Sequence, residues 1–142
     1  MRGSVNEKNI ISPKTVFVVD DEPLLAEIAE VILNSEGYLT RRFLSPFDLL
    51  DAIEPGSPVP HVVVTDYLMN GMNGLELIRR LRQTSPLIRI VLVSGTVSES
   101  LATSDVDSRP DYFLAKPYQV TSLIHAVEAA LAPDPHSETA ST

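Results

Sequence analysis

Short apolar runs alternate with amphipathic stretches along most of this chain. Five short runs rich in β-branched and aromatic residues predict strands, and the second of them, 38–43, is more polar and is expected nearer the edge of the sheet. The stretches between them repeat apolar residues every three or four positions, which is the spacing of one helical face. The predicted strands are 14–19, 38–43, 61–66, 89–93 and 111–115, and the predicted helical segments are 23–36, 47–53, 74–82, 98–110 and 119–131.

The first and last helical segments have the clearest patterns. Pro23 suits a first helical turn, Gly37 suits a helix end, and Pro133 ends the last helix. In the first segment the apolar face, opposite Glu27 and Glu30, consists of Leu24, Leu25, Ile28, Val31 and Ile32. In the last segment the predicted core side consists of Val120, Leu123, Ile124, Val127 and Leu131.

The fourth helical segment, 98–110, fits the alternation least well. It contains four serines, one threonine and two aspartates, with Leu101, Ala102 and Val106 as its apolar support. Serine and aspartate favour caps and turns over helix interiors. We therefore expect a weak, short or irregular helix here.

Strands that alternate with helices predict an α/β fold with a doubly wound parallel sheet and helices on both faces. The expected strand order is 2-1-3-4-5, the flavodoxin-like arrangement, with its switch point between strands 1 and 3. One domain is expected over residues 14–131. Residues 1–13 are expected to form a flexible arm whose first four residues are typical of an expression leader, and residues 132–142 a disordered tail.

Composition narrows the possible partners. The chain of 142 residues has no cysteine, which excludes a disulfide framework and a thiolate metal site. A net charge of −8 with scattered basic residues argues against direct nucleic-acid binding. The local cluster Arg79, Arg80 and Arg82 is expected to be a solvated helix face. No apolar run approaches the roughly 18 residues that span a bilayer, so we expect no membrane contact and a cytoplasmic location.

Carboxylates follow two neighbouring strands of the predicted sheet. Asp20 and Asp21 come directly after strand 1, and Asp66 ends strand 3. These three side chains should meet at the switch point, where they would repel one another unless a cation lay among them. An all-oxygen site suits Mg²⁺ and tolerates Mn²⁺. Each aspartate has a second interpretation, which is a cap on the helix that follows.

A hydroxyl and an ammonium group follow the next two strands. Ser94 comes after strand 4 and Lys116 after strand 5. Alone, such a serine is usually a local cap and such a lysine a solvated charge. Together with three carboxylates they supply the parts needed for phosphoryl transfer to a carboxylate: a cation site, a nucleophile and donors for the phosphoryl oxygens.

Five segments resemble the receiver domain of two-component response regulators, including the chemotaxis response regulator. They occur in the expected order, and the resemblance covers about residues 14–131. The segments are Val18-Val-Asp-Asp-Glu-Pro23, Val64-Thr-Asp-Tyr-Leu-Met69, Met72-Asn-Gly-Leu-Glu-Leu77, Val93-Ser-Gly95 and Leu114-Ala-Lys-Pro117.

The resemblance implies a magnesium-dependent phosphorelay function. Asp66 matches the phosphoacceptor, which takes its phosphoryl group from a phosphohistidine on a sensor histidine kinase or a histidine phosphotransfer protein. Asp21 matches a direct Mg²⁺ ligand and Asp20 a ligand that acts through water. Leu68 would offer its backbone carbonyl to the metal.

The resemblance also implies a switch. Ser94 matches a hydroxyl that moves toward the phosphoryl group, and Lys116 matches the phosphate-binding lysine. Phe113 falls at the aromatic switch position, although the neighbouring Tyr112 makes that assignment ambiguous. The Lys116–Pro117 bond is expected to be cis.

Two loop residues depart from the family pattern, since Asn70 replaces a proline and Asn73 an aspartate. The loss of the proline should loosen this loop. We expect a protein switch, not an enzyme, that acts on a downstream protein as a monomer or weak homodimer. It is either a free-standing regulator or the receiver of a hybrid kinase.

Two other functions remain possible. A Mg²⁺-dependent hydrolase with an aspartyl-phosphate intermediate would need a carboxylate two residues after Asp66, where this chain has Leu68. A receiver-like interaction module that works without phosphorylation would have no use for Asp21, Asp66, Ser94 and Lys116.

Overall fold

The computed structural model describes residues 12–95 and 106–133. Its centre is a five-stranded sheet in which every pairing is parallel and the strand order is β2-β1-β3-β4-β5. The predicted sheet and its order are confirmed. The strands are β1 (Thr15–Val19), β2 (Leu39–Phe43), β3 (Val62–Asp66), β4 (Arg89–Ser94) and β5 (Tyr112–Ala115).

Four α-helices lie within the described ranges, and none of them is long and apolar enough to cross a membrane. They are α1 (Pro23–Ser35), α2 (Pro46–Ala52), α3 (Gly74–Thr84) and α4 (Val120–Leu131). A 3₁₀ turn covers Val106–Ser108. The rest of the weak segment up to residue 105, and most of the predicted arm and tail, lie outside the described residues.

Side-chain caps begin two of the helices. Ser45 Oγ accepts a hydrogen bond from the Phe47 N–H at 3.1 Å, and Asn73 Oδ1 accepts one from the Glu76 N–H at 2.9 Å. Each cap satisfies a backbone donor that the first helical turn leaves unpaired. Asn73 therefore fills the capping role for which its side-chain oxygen is suited.

The sheet separates two hydrophobic cores. Alternating residues of the buried strands point to opposite faces, so Val62 and Val64 face one core while Val63 faces the other. Helices α1 and α4 cover the first face, with Leu33 and Leu123 packed against it. Helices α2 and α3 cover the second.

Helix α1 packs on the sheet with a different face from the apolar one predicted. Of the predicted positions Ile32 is buried, whereas Leu24, Ile28 and Val31 are 67%, 43% and 60% exposed. Helix α1 is apolar on more than one side, and its small alanines let the backbone lie close to the sheet. Its buried residues are Ala26, Ala29, Ile32 and Leu33.

Helix α4 likewise buries small residues at positions where larger ones were predicted. The predicted core residues Leu123 and Val127 are buried, but Val120 is 54% exposed, so its assignment to the core was wrong. Ala126 and Ala130 take the buried positions instead.

Arg82 is not part of a solvated face, as the sequence led us to expect. Its guanidinium donates hydrogen bonds to the backbone oxygens of Ile88 at 3.0 Å and Arg109 at 2.8 Å. It also contacts Asp111 Oδ2 at 3.2 Å, and the same oxygen accepts a hydrogen bond from the Ile90 N–H. Arg82 therefore joins the end of α3 to the chain that enters β4 and β5.

Candidate functional site

Four strands bring polar residues to one edge of the sheet. Asp20 directly follows β1, Asp66 ends β3, Ser94 ends β4 and Lys116 directly follows β5. The strands are in register at this edge, since Asp66 pairs with Val93 and Ser94 with Ala115. The switch point between β1 and β3 thus gathers the residues that the sequence places at separate strand ends.

Three carboxylates form a cluster at the switch point. One oxygen from each of Asp20, Asp21 and Asp66 lies within 4.8 Å of the other two. Asp20 and Asp66 are buried, and Asp21 is half-buried. Carboxylate oxygens at this spacing are the donor set that a small hard cation prefers, so these residues fit a Mg²⁺ or Mn²⁺ ion.

Lys116 is the basic group that faces this cluster. Its Nζ lies 3.1 Å from Asp66 Oδ1 and 3.9 Å from Asp20 Oδ2, so it pairs with Asp66 and contacts Asp20 through a longer ion pair. The Lys116–Pro117 peptide bond is cis, as predicted. Asp66 Oδ1 also accepts a hydrogen bond from the Tyr67 N–H at 3.0 Å.

Burial makes the negative charges of this site unfavourable. Desolvation raises the pKa of Asp66 above its ordinary value, and the nearby Asp21 adds to that rise, while Lys116 and the Tyr67 N–H oppose it. Desolvation also raises the pKa of Asp20, with a further contribution from Asp66. One ammonium group does not balance three carboxylates, and a divalent cation would complete the neutralisation.

The backbone beside Asp66 approaches α3 closely. A Cβ on Gly74 would lie 2.7 Å from the Asp66 carbonyl oxygen and 2.7 Å from Leu92 Cδ1. The Gly74 N–H also donates a hydrogen bond to the Tyr67 carbonyl at 2.8 Å. Glycine is therefore required where the loop after Asp66 turns into the helix.

The remaining predicted site residues lie nearby on the same elements. Ser94 is 2% exposed at the end of β4, and the Leu68 side chain is 70% exposed on the loop after β3. Phe113 is half-buried against the core beneath α2 and α3. Tyr112 packs on the opposite face, where its ring meets His125 edge-on at 5.7 Å, so the two aromatics occupy different environments.

An apolar cavity of about 510 Å³ opens beside the carboxylates. Leu25, Ile28 and Ala29 of α1 form one wall, and Pro117 and Tyr118 form another. Burial raises the pKa of the Tyr118 hydroxyl, and the charges of the nearby aspartates raise it further. Sequence reasoning missed this cavity because it depends on how α1 is turned about its own axis.

Sequence reasoning also missed the backbone donors of the site. The Asn70 N–H donates to Asp21 Oδ2 at 3.1 Å, and the Glu22 N–H donates to Asp20 Oδ1 at 2.9 Å. Asp20 does not cap α1, since its partner is the N–H of Glu22, the residue before the first helical turn, and α1 begins without a side-chain cap; it belongs to the carboxylate cluster. A proline at position 70 could not make the first of these bonds. Asn70, which was expected to loosen the loop, therefore also provides a hydrogen bond that joins the loop to Asp21.

The chain belongs to the response regulator receiver domain family. A sequence model of that family matches residues 16–128, which includes every predicted site residue and all five strands except Thr15, the first residue of β1. The motifs quoted above therefore belong to a receiver domain of a two-component system.

The chain matches one part of each of several larger curated proteins. The DNA-binding response regulator MtrA of Mycolicibacterium smegmatis is 31% identical over 118 residues, which cover 82% of this chain and 50% of that protein. The sensor kinase CckA of Brucella abortus is 31% identical over 117 residues, which cover 82% of this chain and 12% of the kinase. The chain spans about half the length of the first relatives it matches, or less.

Solved structures show the same fold. The receiver domain of NtrX from Brucella abortus is 30% identical, with a TM-score of 0.71 over 82% of this chain and 97% of that one. A putative response regulator from Chloroflexus aurantiacus is also 30% identical, with a TM-score of 0.74 over 85% of this chain and 99% of that one. A CheY-like receiver domain protein from Methanospirillum hungatei, at 22% identity, has a TM-score of 0.78 over 84% and 94% of the two chains.

Proposed function

We propose that this receiver domain accepts a phosphoryl group on Asp66 from a phosphohistidine donor and passes the signal to another protein. The observation that carries the proposal is the pairing of Lys116 Nζ with Asp66 Oδ1 at 3.1 Å beside a cluster of three carboxylates. Such a site combines a nucleophile, a fixed cation and the ligands for a second, divalent cation.

The transfer exchanges one bond to phosphorus for another, and the proton that the leaving group takes up comes from water. An oxygen of the Asp66 carboxylate attacks phosphorus, a P–O bond forms, the P–N bond to the donor imidazole breaks, and that imidazole keeps the electron pair and takes up a proton. The Lys116 ammonium and the Ser94 hydroxyl hold phosphoryl oxygens. Asp20, Asp21, Asp66 and the Leu68 carbonyl would hold Mg²⁺, which neutralises charge on the incoming group when bound.

The signal would leave the site through Ser94 and Phe113. Ser94 ends β4, and Phe113 lies on β5, the neighbouring strand, three residues before Lys116. A hydroxyl drawn toward a phosphoryl group would open space into which a half-buried aromatic ring can turn. This coupling makes the domain a switch, not an enzyme.

A protein donor suits the surroundings of Asp66. The cavity beside the carboxylates is continuous with the exposed apolar side chains of α1, since Ile28 belongs to both. Exposed apolar residues that adjoin a reactive site favour contact with a protein surface. A sensor histidine kinase or a histidine phosphotransfer protein is therefore the proposed donor.

Incubation with acetyl phosphate and Mg²⁺ tests the chemistry without a partner. We expect the intact mass to rise by about 80 Da, the mass of one phosphoryl group. The adduct should be lost in Asp66→Asn and in EDTA, while Asp51→Asn, which removes an exposed carboxylate on α2, should still form it. An adduct that persists in Asp66→Asn, or none in the unchanged chain, would contradict the proposal.

A further inference from the structure

Two loops that are distant in sequence are joined at the carboxylate cluster. The Asn70 N–H donates a hydrogen bond to Asp21 Oδ2 at 3.1 Å, across a separation of 49 residues. Asp21 lies on the connection from β1 to α1, and Asn70 lies on the loop from β3 to α3. The bond therefore links the two segments that would surround a cation.

The backbone donors to the other two carboxylates are local. Asp20 accepts a hydrogen bond from the N–H of Glu22, two residues further on, and Asp66 accepts one from the N–H of Tyr67, the next residue. Those bonds belong to the turn that carries the carboxylate, so they move with it. The bond between Asn70 and Asp21 can break when one loop moves relative to the other, while both turns stay intact.

The β3–α3 loop is anchored on both sides of Asn70, and directly before Asn70 the Met69 side chain packs partly buried against the core. Toward β3 the Tyr67 carbonyl accepts the N–H of Gly74, and toward α3 the Met72 side chain is 7% exposed in the core. Leu68, Asn70 and Gly71 are exposed. Movement confined to Asn70 and Gly71, between Met69 and Met72, would therefore not require the core to open.

We propose that the Asn70 N–H is a latch on Asp21, which competes with the divalent cation for the carboxylate and releases the loop when the cation binds. The proposal rests on the proposed function, in which Asp21 is a cation ligand. In the latch the cation takes Asp21 Oδ2, the oxygen that accepts the Asn70 N–H, because a cation bound to the other oxygen alone would leave the hydrogen bond intact. The cation requires the same charge and its own orientation of the ligand, so each partner weakens the binding of the other.

Calorimetric titration with Mg²⁺ tests the competition on the apo protein. Asn70→Pro removes the N–H, whereas Asn70→Ala keeps it and removes only the exposed side chain. We expect Asn70→Ala to bind Mg²⁺ as the unchanged chain does, and Asn70→Pro to bind roughly fivefold more tightly because one charge-assisted hydrogen bond no longer competes. Equal or weaker binding by Asn70→Pro would overturn the latch.

Proline also stiffens the chain, so a second measurement uses the unchanged sequence. We expect the Asn70 amide to be protected from hydrogen exchange without Mg²⁺ and to lose protection at saturating Mg²⁺. The Glu22 amide, which donates to Asp20 within its own turn, should keep its protection in both states. An Asn70 amide that remains protected at saturation would overturn the latch, whatever the variants show.

These measurements separate the latch from the site on which it rests. Saturable Mg²⁺ binding that Asp21→Ala abolishes, with no change in Asn70→Pro and no change at the Asn70 amide, would remove the latch alone. Absence of saturable Mg²⁺ binding by the unchanged chain would overturn the latch and the proposed metal site together.

Discussion

Asp66 carries a charge that the folded chain disfavours in the absence of a cation. Burial raises its pKa more than Lys116 and the Tyr67 N–H lower it. A carboxyl group whose pKa is raised by folding stabilises the fold below its ordinary pKa, and that contribution is lost as the pH rises through the raised value. At neutral pH the ionised Asp66 therefore reduces stability.

Replacement of the Asp66 carboxylate by a neutral amide should remove this loss of stability. In EDTA at neutral pH we expect Asp66→Asn to unfold at a higher temperature than the unchanged chain. The difference should shrink as the pH falls below the raised pKa toward the ordinary value of 3.8, because in this range the folded state binds a proton at Asp66 that the unfolded state does not yet bind. Thermal unfolding between pH 3 and 8 measures it, with the exposed Asp51→Asn as a control; an Asp66→Asn variant that is less stable at neutral pH would contradict the argument.

At the scale of the elements, strand positions were predictable and helix orientation was not. The β-branched runs of β1, β3 and β4 are buried on both faces, so their length and composition determine each of these strands within a residue or two. When a helix has apolar residues on several sides, the hydrophobic pattern does not indicate which side is buried. Thus Leu24 and Val31 were grouped with Ile32, although small residues such as Ala26 and Ala29 allow the close approach to the sheet.

Individual long-range hydrogen bonds could not be predicted from the sequence either. Three arginines on α3 have the same charge and similar spacing, yet Arg82 binds the backbone of other elements while Arg79 and Arg80 pair with Glu76. Those two guanidinium groups lower the pKa of Glu76 to about 2. Which arginine joins two elements depends on where the following loop lies, and that is a tertiary property.

Arg82 should therefore contribute more to stability than Arg80. Arg82→Met removes the donors to Ile88, Arg109 and Asp111, and we expect it to lower the free energy of unfolding by about 2 kcal/mol. Arg80→Met loses only an exposed, solvent-screened ion pair with Glu76 on the same helix, so we expect a much smaller loss. Urea unfolding compares them, and faster amide exchange at Tyr112 in Arg82→Met alone would locate the loss at β5. Equal losses in both variants would show that Arg82 is a solvated charge after all.

For the molecule as a whole, the reactive end of the sheet and the exposed face of α1 form one surface. Asp66 and Asp20 line the cavity whose wall continues into Ile28 of α1. Leu24 and Val31 extend that apolar surface along the helix, and both are more than half exposed. The family motifs could be found from the sequence because the chemistry of the site uses fixed residue types. The neighbouring surface could not, since the residues that meet a partner are defined by what the fold leaves uncovered.

The apolar surface of α1 should affect phosphotransfer from a protein donor but not phosphorylation by a small-molecule donor. The double variant Leu24→Gln/Val31→Gln changes exposed side chains, so we expect unchanged folding and unchanged phosphorylation by acetyl phosphate. Phosphotransfer from a purified phosphohistidine protein that phosphorylates the unchanged chain should slow by about tenfold, because apolar contacts at the centre of an interface carry much of its binding energy. Leu87→Gln makes the same change at a residue that is 90% exposed before β4, at the end of the sheet away from Asp66, and should have no effect on either reaction. An equal loss with acetyl phosphate would mean that the variant damages the site itself, and no loss with the protein donor would assign donor recognition to a different surface.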